Sequence, residues 1–271
     1  MYTTNNLRGN ATTYIKEKKF HDKTWNGDGL GLAIGDASAD PRDGFSFVSQ
    51  QWENYNFNHN LDVGHFQKGN ILSGIKNGAG VKNRTGQKID VEWVKGSFTI
   101  TSCALNTAEA WGTNLPEAYI VPYAPGELTP HIHYIRTSVR MVIVRDLQYM
   151  SHDEWLNWND VFESGDNEDG LGCIHSEQKV GNMGRFKILS DETITLHGLN
   201  PITTIPFYIK GSDLGQIIYS DDSADSYSSS GLFVIWAAYV PNYWNIGGEL
   251  LQDALAPPTI VGHTRVCFTD A

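Results

Sequence analysis

The sequence contains few cysteines. Cys103, Cys173 and Cys267 are odd in number, far apart and without C-x-x-C spacing, so they do not suggest the disulfide framework of a small secreted domain. We expect reduced thiols in a cytosol-like or nuclear compartment. The N-terminus is too polar for a signal peptide, and the longest apolar run, Gly231 to Val240, is too short to cross a bilayer. These absences predict a soluble, non-secreted protein.

Charged residues are also scarce, and basic ones most of all. Only 19% of the 271 residues are charged, and 20 Lys and Arg against 31 Asp and Glu give a net charge of −11. This charge argues against a folded body that binds polyanions in general. The N-terminal segment differs, and residues 1–24 are predicted to form a flexible, mildly basic arm. Its basic residues, predicted to face nucleic acid, are Arg8, Lys16, Lys18, Lys19 and Lys23.

The motifs of common enzyme classes are missing as well. There is no G-x-S-x-G, H-E-x-x-H or P-loop, and the glycine-rich residues 27–35 do not match G-x-G-x-x-G. His131 and His133 have the H-x-H spacing that places two imidazoles on one face of a strand, as in cupin metal sites. A cupin also needs a glutamate soon afterwards, and residues 134–144 contain no acid. We therefore predict no enzymatic activity, and a cupin-type metal enzyme remains the weakest alternative.

Alternating apolar and polar residues dominate the rest of the chain, a pattern typical of half-buried strands. At the start of one such strand, Ile89, Val91 and Trp93 are predicted to share a face. No segment alternates strand with helix, so an all-β sandwich of about eight strands is expected. Short helical turns are predicted near 106–111 and 153–162, and long exposed loops at 147–182 and 211–230. The predicted extended stretches are residues 88–95, 98–100, 138–146, 185–191, 193–196, 205–210, 231–240 and 264–269.

Four segments occur in an order that resembles a known family. They are residues 83–91 (NRTGQKIDV), 139–146 (VRMVIVRD) with 160–162 (DVF), 185–193 (RFKILSDET) and 265–270 (RVCFTD). This series is similar to that of the capsid proteins of circular Rep-encoding single-stranded-DNA viruses, and more loosely to geminivirus and satellite-virus-like coat proteins. The resemblance covers roughly residues 80–271. Its motif residues are Arg84, Gly86, Lys88, Arg140, Asp146, Arg185, Phe186, Asp191, Arg265 and Asp270.

The resemblance implies a specific fold and function. The fold would be an eight-stranded antiparallel jelly-roll sandwich of two four-stranded sheets, forming a single domain over residues 25–271. The function would be self-assembly into an icosahedral shell of sixty copies, or a multiple, around a single-stranded DNA genome. The protein would then be a virion component assembled in the host cytoplasm or nucleus, without membrane insertion and with an unknown host receptor.

The motif residues also have structural interpretations. Gly86 permits a bend or a positive φ where a strand starts. Arg84, Arg140, Arg145 and Arg185 can pair with carboxylates such as Asp146 and Asp191 at the sheet ends. Ordinary ion pairs that fix strand register are the favoured interpretation. Contact with a genome or a neighbouring subunit is the alternative.

The sequence departs from the family in its N-terminal arm. Family members usually carry an Arg- and Lys-rich arm, whereas the first 24 residues here hold five basic groups. Because binding by counterion release scales with the number of phosphates neutralised, we expect a weak hold on packaged DNA. Copies of a subunit with a charge of −11 also repel one another, which predicts a shell sensitive to ionic strength.

The sequence also suggests a cation site and a glycan site. Asp221, Asp222 and Asp225 form an acidic loop that could hold a divalent cation between subunits, although no cofactor is otherwise expected. The alternative function is a lectin-like jelly-roll carbohydrate-binding module, with aromatic residues presented to a glycan. The aromatic residues considered for that site are Trp52, Tyr55, Trp155, Trp158, Tyr243 and Trp244.

Overall fold

The protein is an all-β, antiparallel sandwich, seen here in a computed structural model. The described residues are 17–27, 32–33, 45–48, 52–53, 66–67, 70–106, 132–134, 136–148, 156, 158–163, 174–219, 229–240, 245–246, 249–250, 255–256 and 258–271.

The strands vary from two to fourteen residues in length. They are β1 (Lys19–Gly27), β2 (Leu32–Ala33), β3 (Phe45–Val48), β4 (Trp52–Glu53), β5 (Phe66–Gln67), β6 (Lys88–Thr101), β7 (Ala104–Asn106), β8 (Ile132–Tyr134), β9 (Thr137–Asp146), β10 (Phe186–Leu196), β11 (Ile202–Lys210), β12 (Gln216–Ile218), β13 (Gly231–Val240), β14 (Asn245–Ile246), β15 (Glu249–Leu250), β16 (Leu255–Ala256) and β17 (Thr259–Asp270). The short helix α1 is Trp158–Val161, and 3-10 turns lie at Val180–Asn182 and Gly211–Asp213.

Two sheets carry most of these strands. Sheet A has the order β11-β6-β17-β1-β4-β5, with β12 also paired to β6, and sheet B has the order β10-β9-β13-β3-β2. Two small sheets, β14-β15 and β16-β7-β8, accompany them. The predicted all-β sandwich is confirmed. The prediction of four strands in each sheet is wrong for the described residues, because short strands extend both sheets.

The core of the sandwich lies between the inner faces of the two sheets. In β11, Ile205, Phe207 and Ile209 are buried, while the intervening residues are exposed. Pro206 has no N–H to donate, and it is accommodated because β11 lies at the edge of sheet A. From sheet B, buried side chains such as Met141 and Trp236 belong to the same core. Burying a side chain of this size contributes roughly 1.5–3 kcal/mol to folding.

A second apolar cluster, called here the outer core, covers the other face of sheet B. Val142 and Val144 from β9 pack there with Trp158, the first residue of α1, and with Phe162, which follows α1. Since β9 is buried on both faces, its central residues form a continuous apolar run instead of alternating. β13 shows the same behaviour over residues 231–238, all of which are buried.

A β-bulge in β6 changes which residues share a face. Cys267 lies opposite Trp93 while Phe268 lies opposite Val91, so Glu92 is an extra residue on β6. Ile89 and Val91 therefore face the core, whereas Trp93 contacts Phe20 on the outer face of sheet A. The prediction that Trp93 shares the buried face of Ile89 and Val91 is wrong.

The predicted boundaries of strands, turns and loops agree in part with the structure. The segments 88–100 and 185–196 contain the single long strands β6 and β10, and α1 lies within the predicted turn 153–162. β1 was not expected, because its residues 19–24 were assigned to the arm, and β12 interrupts the predicted loop 211–230. The turn predicted near 106–111 lies almost wholly outside the described residues, and the single domain over 25–271 stays a prediction.

Candidate functional site

The four sequence motifs meet in two couples, one in each sheet. In sheet A, the first motif meets the last through Asp270. One carboxylate oxygen of Asp270 accepts the backbone N–H of Thr85 at 2.8 Å, and the other accepts Lys19 Nζ at 2.7 Å. Lys19 Nζ also donates to Thr85 Oγ1 at 3.0 Å. These bonds join the start of β6, the end of β17 and the start of β1.

Arg84 and Gly86 shape the turn before β6. The guanidinium of Arg84 is fully buried, lies 4.6 Å from the Tyr219 ring centroid, and donates to the carbonyl oxygens of Ile75 and Gly86. Gly86 has φ +87°, which confirms the predicted positive φ at this strand start. The adjacent Lys88 is exposed.

In sheet B, the second motif meets the third through two ion pairs. Arg185 donates to both oxygens of Asp146, with Nη2 at 2.8 Å, and Asp146 is only 1% exposed. Arg140 donates to Asp191 at 2.8 Å and 2.6 Å. The predicted pairing of these arginines with these carboxylates is confirmed. Their position between β9 and β10 fits the structural interpretation of these residues.

Arg140 additionally ties the outer core to sheet B. Its Nη1 donates to the carbonyl oxygens of Ile174 and Ser176 at 3.0 Å and 2.8 Å. The guanidinium lies 4.5 Å from the Phe162 ring centroid. Phe186 of the third motif is also buried in the outer core, with the Arg185 guanidinium 4.8 Å from its ring centroid.

The N-terminal lysines do not form one solvated cluster. Lys18 is exposed and pairs with Glu92 at 2.5 Å, whereas Lys19 and Lys23 are buried. Lys23 Nζ donates to the Asn70 carbonyl and to Ser73 Oγ, both at 2.7 Å, and burial lowers the pKa of Lys23 to about 7. The arm prediction is therefore wrong for Lys19 and Lys23, whose contacts belong to the folded body. Arg8 and Lys16 lie outside the described residues.

His21 lies beside Lys23 on the same face of β1. Burial is the main reason why the pKa of His21 is lowered to about 4, and the positive charge of Lys23 lowers it further. Its Nε2 atom is buried and has no hydrogen-bond partner in the described part of the chain. A proton added to His21 would therefore enter an unfavourable environment.

The outer face of sheet A presents three aromatic side chains, called here the aromatic row: Phe20, Trp93 and Tyr208. The ring centroids of Phe20 and Trp93 are 6.2 Å apart, and those of Trp93 and Tyr208 are 6.4 Å apart. Phe20 is 38% exposed and Tyr208 is 59% exposed. Lys95 Nζ lies 4.9 Å from the Trp93 centroid, and the Arg265 guanidinium lies 5.7 Å from that of Phe20.

Basic side chains surround the aromatic row. Arg265 donates to both oxygens of Asp22 at 2.6 Å and 2.9 Å, and this pairing holds the pKa of Asp22 below its usual range. Among the ion pairs of the described residues, none involves Lys95 or Lys210. The local charge is thus opposite in sign to the net charge of the chain.

The sequence contained only part of the signal for this row. The alternation of β11 predicts that the side chain of Tyr208 points to the sheet face opposite to that of Phe207 and Ile209. Trp93 could not be placed, because its direction depends on the bulge at Glu92. Phe20 was overlooked because it stands in a stretch assigned to the arm.

The alternative sites predicted from the sequence are only partly covered by the described residues. Trp158 is fully buried, so its assignment to an exposed glycan site is wrong. The structure describes no side chain for Trp52, and the remaining aromatic candidates lie outside the described residues. The same holds for the acidic loop Asp221, Asp222 and Asp225 and for His131, while the side chain of His133 is not described.

The described part of the chain offers neither a metal cluster nor a membrane-spanning helix. No cluster of three or more His, Cys, Asp or Glu side chains there is arranged to hold a metal ion. In the same residues no helix is both long and apolar enough to cross a membrane. Cys103 and Cys267 are buried thiols and are not joined in a disulfide, while Cys173 lies outside the described residues.

Comparison with known proteins does not assign the chain to a family. No family model matches it, and no curated protein matches it. Among solved structures, the crystal structure of the infectious bursal disease virus VP2 subviral particle has 10% sequence identity, with 94% of this chain and 82% of that chain covered, at a TM-score of 0.12. A superposition with so low a TM-score carries no structural argument.

Proposed function

We propose that this chain is a jelly-roll coat protein of a circular Rep-encoding single-stranded-DNA virus, and that it assembles into an icosahedral shell of sixty copies or a multiple. Its partners would be further copies of itself and the packaged DNA. The proposal assigns it no catalytic activity, and no cofactor other than a divalent cation between subunits. It would be a virion component assembled in the host cytoplasm or nucleus.

The pairing of the strands is the observation that carries this proposal. Among the described residues, the eight strands of four or more residues are, in chain order, β1, β3, β6, β9, β10, β11, β13 and β17. The first pairs with the last, the second with the seventh, the third with the sixth and the fourth with the fifth, in each case antiparallel. The chain is therefore one long antiparallel ribbon folded back on itself.

Two further ladders support a rolled ribbon. β17 pairs with β6 and β13 pairs with β9, so each sheet joins two turns of the ribbon. The long strands therefore have the order β11-β6-β17-β1 in sheet A and β10-β9-β13-β3 in sheet B. Strands at the same position in the two orders, such as β6 and β9, are consecutive among the long strands of the described chain. Such an arrangement is expected for a jelly roll, a fold used by viral capsid proteins, lectin domains and cupins.

The motif contacts favour the capsid among these three classes. The segments of the family resemblance meet in the two couples described above, which link β6 to β17 and β9 to β10. The resemblance thus rests on segments that are neighbours in the fold. The cupin's predicted histidine pair lies outside the described side chains, and the glutamate that a cupin needs is missing from residues 134–144.

Particle formation is the direct test. The purified chain should be measured by multi-angle light scattering and negative-stain electron microscopy over a series of salt concentrations. We expect uniform closed particles, with assembly favoured as salt screens the −11 charge of each subunit. A chain that stays monomeric or dimeric at every salt concentration would contradict the coat-protein proposal.

The cation between subunits is tested on the same particles. If carboxylates of neighbouring copies share a divalent ion, chelation should lower the temperature at which the particles melt, and added Ca²⁺ should restore it. Particles that melt identically with and without chelator would leave the shell without this cofactor.

A carbohydrate-binding module is the second candidate, and the aromatic row favours it. Exposed rings on a sheet face can stack against sugars, although the row differs from the aromatic residues predicted for that site. A monomer that binds soluble glycans, and loses this binding in Tyr208→Ala, would support this candidate. The basic residues around the row favour an anionic ligand instead.

A further inference from the structure

We infer that the aromatic row and its lysines form a binding site for single-stranded nucleic acid, with bases on the rings and phosphates on the lysines. This inference deepens the proposed coat-protein function, because it names a place where the shell protein contacts its genome. It also differs from the sequence prediction, which assigned nucleic-acid contact to the N-terminal arm.

The neighbouring strands β6 and β11 alternate rings and positive charges on the outer face of sheet A. In the ladder between β6 and β11, Trp93 lies opposite Lys210, and Lys95 lies opposite Tyr208. Trp93 and Tyr208 therefore each have one lysine across the ladder and another two residues away on the same strand. This arrangement suits a chain whose flat bases and negative phosphates also alternate.

The rings are available and regularly spaced. Centroid separations of 6.2 Å from Phe20 to Trp93 and 6.4 Å from Trp93 to Tyr208 space the three rings evenly on β1, β6 and β11. The two outer rings are exposed, and the central ring is half-buried. Sheets that carry two or three such aromatics are a recurrent platform for stacking unpaired bases.

The charges fit a polyanion better than another protein surface. Asp22 and Glu92 each neutralise one basic neighbour, Arg265 and Lys18, on the β1 side of the row. On the β11 side, the ion pairs of the described residues leave Lys95 and Lys210 unneutralised. Lysine is depleted at the centre of protein interfaces, so a second copy of the chain is a poorer match for this surface.

The test measures binding of the full chain to a fluorescein-labelled twelve-residue oligothymidine by fluorescence anisotropy. Tyr208→Ala should weaken binding about tenfold, because one stacking platform is lost, while Tyr208→Phe should keep most of the affinity. Tyr208 is chosen because its exposure makes a folding defect improbable, and the unfolding midpoint of each variant checks this point.

The lysines are tested by their effect on salt dependence. The double variant Lys95→Gln with Lys210→Gln should weaken binding and reduce the slope of log affinity against log salt by about 1.4. Lys187→Gln is the control, since it removes an exposed lysine charge that belongs to sheet B and already pairs with Asp213 at 3.8 Å. It should leave both the affinity and the slope nearly unchanged.

The outcomes separate this inference from the proposed function. Particles that form normally while Tyr208→Ala and the double lysine variant bind oligothymidine like the wild type would overturn the inference and leave the coat protein standing. Variants that stop assembly without changing oligothymidine binding would make this face a contact between copies, which also overturns it. Binding of neutral glycans in place of the oligonucleotide would do the same. A wild-type chain that binds the oligonucleotide through these residues but never assembles would keep the site and refute the shell.

Discussion

Sheets A and B differ in what covers their outer faces. The outer face of sheet B is covered by the chain itself, because α1 and residues near Ile174 pack on it in the outer core. The outer face of sheet A carries exposed Phe20 and Tyr208 together with lysines. The central strands β9 and β13 of sheet B are therefore buried on both faces, whereas sheet A keeps a chemically distinctive surface.

This difference separates residues that maintain the fold from residues available for binding. Arginine serves both purposes in the two sheets. Arg140 and Arg185 of sheet B bridge strands and cover apolar rings, with Asp146 buried beneath Arg185. Arg265 of sheet A makes a similar two-oxygen contact with Asp22 near solvent. Substitutions at matched positions should therefore have unequal effects.

The largest difference is expected between two tryptophans. Trp158→Ala should lower the free energy of unfolding by about 3–5 kcal/mol, because it leaves a cavity in the outer core. Trp93→Ala, on the half-buried outer face of sheet A, should lower it by less than about 2 kcal/mol. Urea unfolding of the unassembled subunit, followed by circular dichroism, measures both. Equal losses would mean that the two outer faces are equally buried.

The next difference is expected between two arginines. Arg185→Ala should lower the free energy of unfolding by about 3 kcal/mol, since it leaves the carboxylate of Asp146 buried without its main cation. Arg265→Ala should shift the urea midpoint very little, because solvent can hydrate Asp22. An Arg265 variant as unstable as the Arg185 variant would mean that Asp22 depends on its cation as strongly as the buried Asp146 does.

A pH effect should come from the inner side of β1. The pKa of His21 is lowered from 6.5 to about 4 in the folded protein, so the unfolded chain binds more protons between these values. Stability should therefore fall as the pH is lowered from 6.5 to 4, by roughly 2 kcal/mol from this residue.

The variant His21→Gln isolates this contribution. The difference between its stability curve and that of the wild type should change across pH 4 to 6.5. Both proteins should still become more stable as the pH rises from 7 to 9, because the lowered pKa of Lys23 acts in the same direction there. Above pH 9 the raised pKa of the buried Cys103 thiol opposes this effect. Parallel curves below pH 6.5 would show that His21 is not buried as described.

The smallest effect concerns two glycines, each two residues before a long strand. Gly86→Ala should cost about 1 kcal/mol, because φ is +87° there although no atom lies within 4 Å of the added methyl. Gly184→Ala, before β10, also meets no atom within 4 Å and has no such φ, so its effect should stay within about 0.5 kcal/mol. Thermal unfolding of both variants provides the comparison.

Much of the fold was predictable from local pattern. The apolar run 231–240 coincides with β13, and the predicted strand 138–146 differs from β9 by one residue. The pairing of Arg185 with Asp146 was also foreseen, because oppositely charged residues at neighbouring strand ends are readily recognised. The two strands depend on simple local patterns, whereas Arg185 and Asp146 are 39 residues apart and meet because β9 pairs with β10.

The remaining features depend on distant partners. Lys19, His21 and Lys23 have the composition of a solvated arm, yet they turn inward because Asp270 and Asn70 accept hydrogen bonds from the two lysines. The direction of Trp93 depends on a bulge whose position is fixed only by pairing with β17. The candidate site on sheet A could not be assembled from the sequence for the same reason.

The pairing of β1 with β17 has a consequence for synthesis. Lys19 and Asp270 are 251 residues apart, and β17 lies between β1 and β6 in sheet A. Because the ribosome makes β1 and β6 before β17, each of these strands has an unpaired edge until β17 is synthesised. β9 and β10, in contrast, can pair as soon as both have been made. The surface inferred to hold nucleic acid is therefore completed last, and a nascent chain cannot present it before the final strand has emerged.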